Sequence, residues 1–142
     1  MDGEWEKISQ DSLRLMQVFE STTGVRSKDI LEEGDTVVYL VDKGRLGKAI
    51  GKGAHRLKKL EELLKRKVKI VEFDEKEAFI RSLFKPFMLT SVDLRDETRG
   101  IVAYISVDPK DKGKAIGEKG KNLHIAKKLL KKYYQIENVV VV

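Results

Sequence analysis

The sequence predicts an α+β protein made of two copies of one small unit, and three observations predict it. The phrase GKAIGKGAHRL at 47–57 returns as GKAIGEKGKNL at 113–123, with six of eleven positions identical. A short run rich in β-branched residues precedes each copy, DTVVYLVD at 35–42 and GIVAYISVD at 100–108. After each copy the apolar residues fall at helical spacing. Both halves read helix, strand, strand, helix, glycine loop, helix, strand. The boundary falls where the first unit's last strand runs into the second unit's leading helix, giving units of 1–73 and 74–142.

Taken in order, ISQDSLRLMQVFES (8–21) is an amphipathic helix that Thr23-Gly24 stops. First strands are expected within 24–33 and 90–97, turning at Gly34-Asp35 and near Thr98. The β-branched runs are second strands, in which Tyr39 and Tyr104 alternate toward the core. Asp42 and Asp108 end these strands as candidate helix N-caps, and Pro109 takes the first helical position, where its missing N–H is no loss. Past the glycines, Leu57, Leu60, Leu63 and Leu64 form one apolar stripe. In the second unit Leu123, Ala126, Leu129, Leu130 and Tyr133 repeat that spacing and extend it by a turn. Glu61 with Lys65 and Glu62 with Arg66 can pair at i,i+4. VKIVEF (68–73) and NVVVV (138–142) close the units, and Asp74 with Glu77 forms a capping box opening the helix of 74–84.

Charge is informative once it is located. Residues 43–69 hold eleven Lys/Arg and two Glu, net +9, and residues 109–132 hold nine Lys, one Asp and one Glu, net +7. The whole chain is only +6, so the remainder sums to −10. A uniformly solvated Lys/Glu surface would not separate the signs in this way; focused positive charge beside a repeated glycine loop points to a polyanion. The absence of Cys excludes disulfides, thiolate metal sites and a Cys nucleophile. No apolar run approaches the ~18 residues of a membrane span. The acidic start MDGEWEKISQ is unlike a signal peptide, so a soluble, intracellular, cytoplasmic protein is expected. Five Asn and Gln in total, with abundant Lys and Glu, lean toward a thermophile.

Enzyme signatures are missing. The phosphate-binding spacing GxxxxGK[ST] fails because Leu46 and Ala115 stand where its first glycine belongs. Neither HExxH nor GxSxG occurs, and Asp93 and Asp96 sit in an exposed strand with ordinary ion-pair partners. His55 and His124 lack nearby carboxylate ligands, so no metal site and no cofactor are expected. Trp5 reads as a packing residue. The expectation is a binding protein with no small-molecule substrate and no membrane partner.

A glycine turn joining two helices is usually only a turn, but its repetition and the surrounding charge argue for an anion site. Glycine lets a phosphate approach the backbone, and the second helix directs free N–H groups and its dipole at the turn. I-G-x-x-G between two helices, after a strand, resembles the KH RNA-binding domain, whose loop clamps about four backbone nucleotides. The element order is similar to the type II topology, an α-β-β-α-α-β unit with a three-stranded sheet packed against helices. The resemblance covers essentially all 142 residues as two tandem copies. The pair looks like the archaeal NusA-like transcription termination/antitermination proteins.

The resemblance implies that RNA contacts are made by Lys48, Ile50, Gly51, Lys52, Gly53, Ala54 and Arg56 in the first copy. In the second they are Lys114, Ile116, Gly117, Glu118, Lys119, Gly120 and Lys121. Ile50 and Ile116 would start an apolar groove wall. Ala54 replaces the final glycine of the first loop and suits a helix start; Glu118 in the second would repel a phosphate. Each copy is therefore expected to bind modestly, and the pair more strongly. The implied function is contact with single-stranded nascent RNA during transcription elongation or termination, with RNA polymerase as a second partner. The alternatives are ribosome-associated or RNA-processing work, or a protein–protein adaptor to the polymerase with degenerate loops.

Overall fold

The computed structural model describes residues 10–142; Trp5 and the helix start expected at residue 8 lie outside the described residues. The chain forms two compact units that divide between Phe73 and Asp74.

The first unit runs α1 (Gln10–Thr23), β1 (Asp29–Glu33), β2 (Thr36–Val41), α2 (Leu46–Ile50), α3 (His55–Leu64) and β3 (Lys67–Glu72). Thr23 ends α1 as the sequence suggests: its hydroxyl donates to the Phe19 carbonyl at 2.7 Å and accepts the Val25 N–H at 3.0 Å. Gly24 then takes a left-handed φ of 71°. The β1–β2 hairpin closes on Gly34-Asp35, with Glu33 opposite Thr36. Arg66 braces that hairpin, donating to Glu32 at 2.6 Å and to the Gly34 carbonyl at 3.3 Å.

The sheet order is β1-β2-β3, antiparallel then parallel. Every residue of the central strand β2 is buried. Its Val37, Tyr39 and Val41 join Leu15, Phe19 and Leu60 in one core. Burying each such side chain contributes roughly 1.5–3 kcal/mol. Tyr39 stacks on Phe19 with ring centroids 4.2 Å apart. Its hydroxyl donates to the Leu15 carbonyl at 2.8 Å, so the buried phenol is satisfied and burial pushes its pKa up to about 12.

The second unit repeats the plan: α4 (Lys76–Leu83), β4 (Leu89–Glu97), β5 (Gly100–Val107), α5 (Lys112–Ile116), α6 (Lys121–Tyr134) and β6 (Ile136–Val141). Its sheet order is β4-β5-β6, again antiparallel then parallel. Phe79, Leu83, Ile105 and Leu130 are buried. Two features distinguish it. Helix α6 has 14 residues where α3 has 10. Ile101 pairs with Ile136 but Val102 with Asn138, so Glu137 is an extra residue in β6. Gly100 makes room for it, since a Cβ there would lie 2.5 Å from the Glu137 Cγ, and the Glu137 carboxylate pairs with Lys131.

Several local expectations are overturned. Asp42 does not cap α2, because its carbonyl accepts the Arg45 N–H in a turn and the helix starts at Leu46. Asp108 does cap, but it caps a short 3-10 turn at Pro109–Asp111, accepting the Lys110 N–H at 3.0 Å. No capping box opens α4: Asp74 accepts the Glu75 N–H, and Glu77 pairs with Arg81. Glu61 accepts the Val68 N–H rather than pairing with Lys65, and Arg66 crosses to Glu32 rather than to Glu62. Leu63 falls off the stripe and is exposed.

Tyr104 is only half-buried. Its hydroxyl donates to Glu97 at 2.5 Å, and the Arg95 guanidinium lies 4.4 Å from its ring centroid. Tyr133, also expected in the core, is half-buried with its ring edge-on to Phe79.

Candidate nucleic-acid interface

Each loop is held between a buried anchor and a long helix. Ala49 of α2 and Ala115 of α5 are essentially fully buried, and so small a side chain lets each short helix lie close against its unit. One residue on, Ile50 and Ile116 are half-buried. The chain then turns at Gly51 and Gly117, whose backbones are nearly identical at φ 78°, ψ 165° and φ 88°, ψ 164°. That region is open essentially to glycine alone.

Two successive left-handed residues complete each turn. In the first unit they are Gly53 (φ 61°) and Ala54 (φ 59°); in the second they are Lys119 (φ 55°) and Gly120 (φ 73°). Ala54 therefore does not begin the helix, as its residue type suggested, but holds the conformation Gly120 holds in the other copy. Both turns end with the N-terminus of a long helix, α3 or α6, at the loop.

Among the site residues, Lys52, Glu118 and Lys119 are exposed in the turns, and Lys48 and Lys114 are exposed on the short helices, the Lys48 amine lying near Gly24 at the end of α1. Lys121 is half-buried. His55 is exposed and its Nδ1 lies 2.8 Å from the Lys52 carbonyl oxygen. Arg56 folds back, donating through Nη1 to the Lys48 carbonyl at 2.6 Å. Among the described residues no group of three His, Cys, Asp or Glu could hold a metal ion. None of the described helices is long and apolar enough to cross a membrane.

Two pairs of residues gain a meaning here that sequence reasoning missed. Gly47 and Gly113 lie within the short helices with no left-handed φ, and a Cβ on either would meet nothing within 4 Å. The fold does not require glycine there, although both copies carry it where helix propensity opposes it. Asn122 donates to the Lys114 carbonyl at 3.4 Å, the bond that Arg56 makes in the first unit. Alignment of the copies could have signalled the first pair, because Gly47 and Gly113 are identical; Arg56 and Asn122 share a place, five after the first loop glycine, but differ in type.

Comparison with known proteins agrees with this geometry. Residues 76–140 match the model of the NusA-like second KH domain. A probable transcription termination protein NusA of Methanocaldococcus jannaschii is 34% identical over 137 residues, covering 96% of this chain and 75% of its own length. A protein of the same description from Halobacterium salinarum is 36% identical over 134 residues, covering 94% of this chain and 96% of its own. The crystal structure of APE1850 superposes with a TM-score of 0.77 at 33% sequence identity, spanning 95% of this chain and all of that one.

Proposed function

Because the chain belongs to the family of archaeal NusA-like transcription termination proteins, we propose that it is a single-stranded RNA-binding factor of transcription elongation or termination. Its working parts are two type II KH domains, residues 1–73 and 74–142. One observation carries the reading. Both loops keep the same backbone, although each must hold one ordinary residue, Ala54 or Lys119, in a left-handed conformation to do so. Such a conformation costs roughly 1–2 kcal/mol per non-glycine residue. Strain kept in the same turn of both copies, by different residues, supports selection of the turn's shape.

The shape suits a phosphate backbone. Gly51 and Gly117 leave the peptide bare, the first N–H groups of α3 and α6 face the turn, and Lys48, Lys52, Lys114, Lys119 and Lys121 supply charge. Gly47 and Gly113 extend the bare surface by one helical turn, so the strand passes along the short helix before reaching the loop. Ile50 and Ile116 begin the apolar wall against which bases lie. Gly53, Ala54, Glu118 and Gly120 set the turn rather than the charge, and Arg56 lies at its base. RNA polymerase is the second partner this reading carries, the relatives being named for transcription termination.

The test is titration of the full chain with labelled single-stranded RNA at two salt concentrations. Wild type is expected to bind with an affinity that falls steeply with salt. A variant carrying Lys52→Asp, Gly53→Asp, Glu118→Asp and Lys119→Asp is expected to lose binding while keeping its circular dichroism spectrum. Undiminished affinity in that folded variant would refute the reading.

A further inference from the structure

The two copies make one contact alike that neither the repeat nor the charge pattern announces. In α2 the last helical bond runs from the Gly51 N–H to the Gly47 carbonyl at 2.9 Å, and in α5 from Gly117 to Gly113 at 3.1 Å. The chain then turns away, leaving the next carbonyl, of Lys48 or Lys114, among those that a helix end strands without an amide. The facing long helix supplies a side-chain donor to that carbonyl: Arg56 at 2.6 Å in the first unit, Asn122 at 3.4 Å in the second.

Donor, acceptor and register agree, while the residue type does not. An arginine and an asparagine share no charge and little length, but both can donate N–H. Both also pass directly beneath the first loop glycine. A Cβ on Gly51 would lie 3.0 Å from the Arg56 Cγ, and one on Gly117 would lie 2.9 Å from the Asn122 backbone nitrogen.

We propose that Arg56 and Asn122 are positioning residues: each clasps the start of the long helix to the end of the short one and so presets the glycine loop for the RNA backbone. The inference rests on the RNA reading above and assigns Arg56 a role through the loop, not as a free phosphate contact. Its guanidinium also places positive charge at the C-terminal end of α2, the favourable end for a cation. A charge-assisted bond is stronger than an amide's, so the first loop is the more firmly held.

The test separates geometry from charge with variants Arg56→Ala, Arg56→Asn and Asn122→Arg in the full chain. Amide hydrogen exchange is followed at Gly51, Ala54, Gly117 and Gly120 without RNA, and single-stranded RNA affinity is measured separately. Arg56→Ala is expected to speed exchange at Gly51 and Ala54 by about tenfold and to weaken RNA binding by a similar factor. Arg56→Asn, which removes the same charge but copies the other unit's donor, is expected to restore most of both. Asn122→Arg is expected to slow exchange at Gly117 and Gly120.

Exchange in Arg56→Asn as fast as in Arg56→Ala, or no slowing in Asn122→Arg, would overturn the clasp. Equal loss of RNA affinity in both Arg56 variants would make Arg56 a phosphate contact and overturn its positioning role. If wild type binds no RNA, it is the functional reading that fails; the exchange measurements, made without RNA, still decide the clasp.

Discussion

The first loop reads Gly-Lys-Gly-Ala and the second Gly-Glu-Lys-Gly, yet their first glycines differ by only 10° in φ and 1° in ψ. What differs is where an ordinary residue bears the left-handed backbone: last in the first unit, third in the second. The sheets differ more. Lys69 of β3 pairs with Val38, and the corresponding partners in the second sheet are Val140 and Tyr104. The lesson is that the turn is held constant while its surroundings drift, which places the selected property in the backbone.

The largest expected effect tests the first glycines. Both have the glycine-only backbone, but a Cβ on Gly117 meets the Asn122 backbone nitrogen at 2.9 Å, whereas one on Gly51 meets the movable His55 ring at 2.7 Å. Gly117→Ala is expected to cost about 3 kcal/mol and Gly51→Ala about 2 kcal/mol, read from urea denaturation. A reversed order would break the comparison.

The next concerns the sheets. Burial lowers the Lys69 pKa to about 8 from its ordinary 10.5. Between those values the unfolded chain binds more protons than the folded one, so stability rises with pH across that window. Above pH 10 the trend opposes it, because Tyr39, raised to about 12, keeps its proton in the fold while the unfolded phenol ionises. From pH 8 to 10 the Lys69 contribution is expected to be on the order of 2 kcal/mol. Lys69→Val, which copies Val140, should flatten that rise in urea midpoints.

Relieving the left-handed residues sharpens the comparison further. Ala54→Gly and Lys119→Gly are each expected to stabilise by about 0.5–1 kcal/mol, the steric relief being partly offset by glycine's entropy. Only Lys119→Gly should weaken RNA binding, since it alone removes a cation. Smallest in stability is the response of Gly47→Ala and Gly113→Ala. Each should raise the melting temperature slightly, by less than about 1 kcal/mol in free energy. Each should also lower RNA affinity several-fold; unchanged affinity would remove the short helices from the path of the strand.

The element order and the position of both loops were legible in the sequence because they rest on period and repetition. Leu57, Leu60 and Leu64 mark a face that any helix of that sequence must bury, and the second copy confirms its phase independently. Single-residue chemistry was less legible. Asp42 and Asp108 are the same residue in equivalent places, but only Asp108 precedes Pro109 and caps the turn the proline begins. Tyr104 stands one place out of phase with the core residues Ala103, Ile105 and Val107, at the position of Val38 rather than Tyr39, and its phenol meets Glu97 and Arg95 instead. Ala54 was misread because alanine favours helix; the turn's geometry overrides that preference, and no neighbour in sequence announces it. Arg56 looked like one more cation, since its acceptor is a backbone carbonyl and carbonyls leave no trace in a sequence.

The longer α6 and the extra Glu137 have a joint consequence for how this chain tolerates insertions. Four added residues advance an α-helix by little more than one turn, about 6 Å, and return its apolar stripe to nearly the same bearing. A strand repeats every two residues, so an odd insertion would turn β6 over and present its inward valines to solvent. Of the five residues gained relative to the first unit, the helix takes four, and the fifth, Glu137, stands out of the pairing over Gly100. Both elements thus keep phase. Removing the four-residue turn should leave β6 facing as it does now. Removing Glu137 alone should likewise leave β6 facing as it does, closing the bulge to the unbroken pairing seen between β2 and β3; a single residue lost from the paired stretch itself has no bulge to absorb it.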